Sequence, residues 1–297
     1  MSLLNGKWTG PIIDNHFHLN RNGKFLNAAE DFKKSGGTGL ILVHCPNFKS
    51  PPITAIGHRK AYSDTISMAE QVRKSLDLDV RVVLGPHPAA FAHQFELWFS
   101  KHGDKGTQRA IENYNDSIDI AIDFCNEGQA VAIGEVGRPH WNAPDEVVEL
   151  SNQLLEQTME LSRREKIPLQ LHMEDNGSKT YSDLESMADR AGLNPKYLVR
   201  HFASPDVSTS MVGKITPSVN LGKDGIQKLI ETYDSSHHGF MLETDYMDDP
   251  RRPGAVLGPK TVPKRTQKLA SLADEIGMDE EVFFSIHQDL PNMIYGE

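Results

Sequence analysis

The chain reads as an α/β protein, a (β/α)8 TIM barrel with a short C-terminal closing helix, and three observations predict that class. Short apolar runs, rich in β-branched residues, alternate with longer amphipathic segments along the 297 residues. That is the pattern of buried parallel strands joined by crossover helices. About eight such units can be counted, and one barrel takes about 250 residues, which leaves the remainder for loops and a tail. No Gly-x-Gly-x-x-Gly follows the first run, which sets the runner-up, an open doubly wound sheet, behind the barrel. No linker is visible, so residues 1–297 read as one domain.

The elements follow in order. Ile12 and Ile13 open the first strand, and the others lie at 39–44, 80–84, 130–134, 168–172, 197–201, 214–218 and 239–243. A helix over 25–35 ends at Gly36-Gly37, a C-capping signal. Segments 64–76, 107–127 and 145–166 carry apolar residues at three- and four-residue spacing. Segment 183–191 stops at Gly192, and helices over 223–233 and 264–276 follow. A Pro-rich stretch at 46–52, a polar stretch at 87–106 and a loop at 246–263 follow strands two, three and eight. All three lie on the face where barrel active sites sit. Residues 279–295 read as the closing helix, interrupted at Pro291.

Composition removes several classes of function. No run of about 18 apolar residues exists, which excludes a membrane span. The first ten residues lack a basic region followed by an apolar one, so no secretory signal is expected. Cys45 and Cys125 are the only cysteines, too few for a disulfide framework, and a reducing cytoplasm is the expected location. The net charge of −10 argues against broad, salt-driven nucleic-acid binding. It leaves room for an anionic substrate, because bound cations reverse the sign of a site. No obligate protein partner is evident.

Chemistry concentrates at the strand ends. In Asp14-Asn15-His16-Phe17-His18 the two histidines are two residues apart, so in a strand they point to the same side. Glu135 ends strand four, His172 strand five, His201 strand six and Asp245 strand eight. Four imidazoles and two carboxylates in register with the strands make a metal centre the leading reading. Six ligands suit two divalent ions, with Glu135 able to bridge them through its two oxygens. Zinc is the foremost candidate, with manganese or magnesium as alternatives. The expected reaction is attack of metal-bound hydroxide on a phosphoryl or acyl centre, with Asp245 orienting that hydroxide and shuttling its proton. Glu135 and Asp245 are therefore the catalytic candidates.

These residues resemble the TatD family of metal-dependent hydrolases, within the amidohydrolase superfamily. Ile13-Asp14-Asn15-His16-Phe17-His18-Leu19 resembles its opening strand, and Gly85-Pro86-His87-Pro88 the motif after strand three. Gly134-Glu135-Val136-Gly137, Leu171-His172, Arg200-His201-Phe202 and Leu242-Glu243-Thr244-Asp245 are similar to its later strand ends. The resemblance implies metal ligands at His16, His18, Glu135, His172, His201 and Asp245. It assigns the strand-one pair and Asp245 to one ion, the later histidines to the other, and Glu135 between them. It also implies a phosphodiesterase, specifically a deoxyribonuclease acting on DNA ends.

Two departures concern the substrate. Where the family has Leu-Asp after the strand-four motif, this chain has Arg138-Pro139-His140-Trp141. Where the family has an Arg two residues after the strand-five histidine, this chain has Glu174. An acidic residue at a phosphate-facing position favours a second reading, a hydrolase of a small ester, lactone or amide. A metal-binding protein without turnover is a third. His87 and His140 are candidate substrate contacts, and Trp141 a candidate wall. Asp14 is expected to hold a ligand imidazole from below, while Glu243 could do so or be core polarity. His44 reads as structural, and Arg251-Arg252 as a solvated charge run, with contact to phosphates as the alternative.

Overall fold

In the computed structural model, residues 2–251 and 256–296 are described. Eight parallel strands form one sheet in chain order: β1 (Ile13–Phe17), β2 (Gly39–Val43), β3 (Asp79–Leu84), β4 (Ala132–Gly137), β5 (Leu169–His172), β6 (Leu198–Ala203), β7 (Thr216–Asn220) and β8 (Met241–Glu243). Phe17 bridges to Tyr246 in parallel, and the His18 amide donates to the Tyr246 carbonyl at 2.9 Å, joining the first strand to the segment after the last. The result is the nearly closed (β/α)8 TIM barrel that the alternation predicts. A short antiparallel hairpin, Leu3–Leu4 with Lys7–Trp8, precedes it.

The helices are α1 (Leu26–Lys34), α2 (Ala55–Leu76), α3 (Pro88–His102), α4 (Asp104–Asn126), α5 (Asp145–Glu165), α6 (Ser178–Ala191), α7 (Thr209–Val212), α8 (Ile226–Thr232) and α9 (Thr261–Ile276). A run of α10 (Glu280–Phe284), a π-turn (Ser285–Asp289) and α11 (Leu290–Tyr295) closes the chain.

Contacts gather the chain into two compact units. One comprises residues 1–42, 68–81 and 201–297, and the other 43–67 and 82–200. The first has a core of Trp8, Leu221, Leu229, Leu242, Leu269 and Phe283, all buried. Phe283 stacks on Trp8 with centroids 5.1 Å apart, which fastens the closing helices to the N-terminal hairpin. His287 is fully buried: its Nδ1 accepts the Ile13 amide at 3.2 Å and its Nε2 lies 2.9 Å from Thr266 Oγ1. The second unit is built around α3 and α4. Phe91 meets Tyr114 edge to face at 5.7 Å, and Tyr62 is 2.6 Å from Ser117 Oγ.

Three details differ from the sequence expectation. The stretch 87–106 contains helix α3 instead of a polar loop. Its Phe91, Phe95 and Trp98 fall at four- and three-residue steps and are buried, and Pro88 occupies the first turn, where a missing amide is harmless. Helix α2 begins at Ala55, nine residues before the predicted start at Asp64. Pro291 does not interrupt the closing run: it sits in the first turn of α11, after the π-turn has already opened the hydrogen-bond ladder.

Candidate metal centre

In the first unit, His16 and Asp245 meet His18 and His201 at the C-terminal ends of β1, β6 and β8. All five residues of β1 are buried, so the strand delivers its side chains from inside the fold. His16 Nε2 and His18 Nε2 face each other at 3.1 Å. Asp245 Oδ1 lies 3.4 Å from His18 Nε2 and 3.8 Å from His16 Nε2. The His201 ring stacks on His16 with centroids 4.1 Å apart. His16, His201 and Asp245 each offer a ligand atom within 4.8 Å of the others.

Electrostatics favours an ionised Asp245. Burial opposes the charge, but the His18 hydrogen bond and the neighbouring imidazoles outweigh it and hold the carboxyl below its ordinary range. Its backbone lies in the left-handed region, φ 48°, as does that of Phe202 after His201, φ 53°. Such conformations cost about 1 kcal/mol or more for a non-glycine residue, and they re-aim side chains at strand ends.

The carboxylates beneath the ligands divide differently from expectation. Asp14 bonds backbone amides and a hydroxyl instead of an imidazole ring. It accepts the Thr244 amide (3.0 Å), the Thr244 hydroxyl (2.7 Å) and the His16 amide (3.3 Å), and burial pushes its carboxyl up to about 8. Glu243 is the residue beside a candidate ligand imidazole. Its Oε1 accepts the Phe202 amide at 2.8 Å and lies 3.4 Å from His201 Nδ1. Asp248, which the sequence reading did not single out, accepts the amides of Asn20, Lys24 and Phe25 at 3.1, 2.7 and 2.8 Å, fixing the loop after His18. An acidic residue three positions past Asp245 was the available signal. Arg251 donates from Nε and Nη2 to the two carboxylate oxygens of Asp249, at 2.9 and 2.8 Å. Arg252 lies outside the described residues.

In the second unit, His87, Glu135 and His172 form a corresponding cluster, each with a ligand atom within 4.8 Å of the others. His172 Nδ1 is 2.7 Å from Glu135 Oε2, and His87 Nε2 is 3.5 Å from the same oxygen. Gly137 makes the approach of β4 to β5 possible. It has φ 148°, and a Cβ there would stand 2.0 Å from the His172 carbonyl oxygen. His87 caps α3, its Nδ1 accepting the Ala89 amide at 3.0 Å. The neutral ring therefore carries its proton on Nε2, directed toward Glu135. The Phe48 ring stands edge-on to His87 at 5.3 Å.

The two departures found in the sequence contact each other. Arg138 Nε and Nη2 bond Glu174 Oε2 and Oε1 at 2.8 and 2.6 Å, and Nη1 bonds Asp183 and Asn152 at 2.5 and 2.9 Å. Burial works against both charges, yet the pairing prevails: Glu174 stays below and Arg138 above its ordinary range. His140 reaches His172, Nδ1 to Nε2, at 2.6 Å. His44 is buried, with Nδ1 2.8 Å from Thr65 Oγ1 and its ring edge-on to Tyr62 at 4.8 Å.

Imidazole nitrogens and carboxylate oxygens converging at these distances fit a divalent metal ion. A parallel barrel with such clusters at its strand ends defines the class: a metal-dependent hydrolase fold. The model of the TatD related DNase family matches residues 13–296, and the chain belongs to that family. An uncharacterized protein of Methanocaldococcus jannaschii, MJ1127, is 29% identical over 293 residues, covering 96% of this chain and 95% of its own. The crystal structure of YjjV, a TatD homolog from Escherichia coli, superposes with a TM-score of 0.59 at 20% identity, covering 96% of this chain and 98% of the other. An uncharacterized amidohydrolase from Saccharomyces cerevisiae gives 0.60 at 11% identity, covering 96% and 100%. These structures share the fold.

Proposed function

We propose that the chain is a metal-dependent phosphodiesterase that hydrolyses DNA ends. The observation that carries the reading is the pair of imidazole–carboxylate clusters at strand ends in a chain of this family. One divalent ion would be held by His16, His18 and Asp245 together with His201, which the family resemblance assigns to the other ion but whose ring stacks on His16, and one by Glu135 and His172. Zinc is the first candidate, then manganese or magnesium. Such ions supply Lewis-acid polarisation and lower the pKa of a water.

The chain's own groups do the rest. Asp245, kept ionised, orients the attacking water and takes its proton. His87, with its proton on Nε2, donates to an oxygen of the reacting group. Glu135 Oε2 lies 2.7 Å from His172 Nδ1 and 3.5 Å from His87 Nε2, which keeps both rings near one point. One observation favours the second reading, a small ester, lactone or amide substrate. Arg138 is consumed by Glu174 and Asp183, so this side of the site presents an ion pair where a phosphate would be met by a cation.

The experiment is cleavage of single-stranded DNA labelled at its 3′ or 5′ end, with magnesium, manganese or zinc, beside Asp245→Asn as control for a contaminating nuclease. Metal-dependent shortening that the variant lacks is expected. Intact DNA in the presence of turnover on p-nitrophenyl esters would transfer the assignment to the second reading.

No helix among the described residues is long and apolar enough to cross a membrane. We propose a cytoplasmic location, on a content of two cysteines, too few for a disulfide framework, and a single working domain over 1–297.

A further inference from the structure

His172 has both ring nitrogens engaged at short range. Nδ1 is 2.7 Å from Glu135 Oε2, and Nε2 is 2.6 Å from His140 Nδ1. A metal-ligating imidazole must present a lone pair at one nitrogen and carries its proton on the other. With Nδ1 turned to Glu135 in the candidate cluster, the proton belongs on Nε2, and the atom facing it is His140 Nδ1. We propose that His140 is a positioning residue: it accepts the Nε2 proton of His172 and thereby fixes the ring in the tautomer and orientation that a metal ion requires. This rests on the metal-dependent reading above and replaces the substrate-contact role expected for His140.

The loop carrying His140 is built to hold it. Arg138, two residues before, is clamped in a planar two-bond fork on Glu174, with Asp183 and Asn152 on its remaining nitrogen. Such a fork fixes orientation as well as distance. Arg200 Nη2 donates to the Glu174 carbonyl at 3.3 Å, so the acceptor side of the fork is itself tied down. Pro139 restricts the backbone between Arg138 and His140. Trp141, next along, meets the His140 ring edge to face at 5.3 Å and stacks over His93 at 6.4 Å. An exposed histidine on an ordinary loop would lose side-chain freedom to keep a 2.6 Å contact. Here the flanking residues impose that restriction. Glu174 sits where the family pattern has an arginine, and its partner is Arg138, so the two departures serve one structural purpose.

The test is Zn2+ affinity of the full chain, by competition with a chromogenic chelator, for wild type, His140→Ala and His140→Asn. Thermal unfolding of each metal-free protein runs alongside. Asparagine sets a carbonyl oxygen, an atom that only accepts, near the place of Nδ1. The expected result is about 10–100-fold weaker Zn2+ binding in His140→Ala, most of it recovered in His140→Asn, and unchanged metal-free unfolding. Wild-type affinity in His140→Ala would overturn the proposal. Equal loss in both variants would overturn it in favour of direct ligation. A fall in metal-free unfolding temperature would reduce His140 to a structural role. Absence of Zn2+ binding by the wild type would instead defeat the metal-dependent reading and the proposal with it.

Discussion

Asp245 combines the properties its proposed role requires: a carboxyl held ionised, contact with His18, and a backbone twist that aims it across the strand end. Asp245→Asn keeps the shape and removes the charge. Turnover should fall by about 10²–10⁴-fold, the range for losing a positioned acid or base, with the circular dichroism spectrum unchanged. A rate within a few-fold of wild type would remove Asp245 from catalysis. His287 makes a prediction of a different kind. Burial pushes its imidazole down to about 3. In the unfolded chain it takes up a proton near its ordinary 6.5, so between 6.5 and about 3 the unfolded state binds more protons. The stability due to the neutral ring is complete above the unfolded value and is lost as pH falls through that window. Urea midpoints measured against pH should show this slope, and His287→Gln should flatten it. Identical slopes in both proteins would exclude His287 as the origin.

The candidate ligands were legible because each ends a strand and the period of a strand is two. Their supports were not. Asp14 and Glu243 each stand two residues before a ligand, so the local pattern treats them alike. Which carboxylate meets a ring depends on neighbouring strands: Thr244 takes Asp14, and Glu243 reaches His201 and Phe202.

At the scale of elements, helix α3 shows how a readable signal can be outweighed. Its polar residues gave 87–106 the look of a loop, yet Phe91, Phe95 and Trp98 trace one buried face and His87 caps it. The helix matters to the site because its cap fixes the tautomer of His87. The fork between Arg138 and Glu174 links the loop after β4 to the loop after β5. Arg138→Gln should destabilise the fold by about 2 kcal/mol, less than the 3–5 of a fully buried pair because Glu174 retains some solvent contact. Arg138→Lys should recover little, since an ammonium cannot make the fork. Full recovery by lysine in denaturant titrations would show that charge alone matters. In the closing run, Asp279 caps α10 by accepting the amides of Glu281 and Val282. Asp279→Ala should cost about 1 kcal/mol, and Phe283→Ala, which empties the contact with Trp8, about 3–5 kcal/mol. The reverse order of these two would contradict the assignment of the core.

For the whole molecule, the barrel was legible from alternation and length, while the substrate was not. Fold and ligand types follow from strand periodicity. The substrate depends on loops such as 138–141, whose contacts cross large sequence separations. Metal binding should appear in global stability, because an ion that binds only the folded chain stabilises it by about 2.7 kcal/mol at a hundredfold excess over its dissociation constant. Chelator should therefore lower the unfolding temperature by several degrees and Zn2+ restore it, an effect weakened in His16→Ala.

The most direct measurement is turnover of bis(p-nitrophenyl) phosphate by chelator-treated protein, before and after adding back Zn2+ or Mn2+, with Asp245→Asn in parallel. Turnover should vanish with the chelator, return with the ion, and stay absent in the variant. A rate that survives chelation, or that Asp245→Asn retains in full, would contradict metal-dependent hydrolysis at these strand ends.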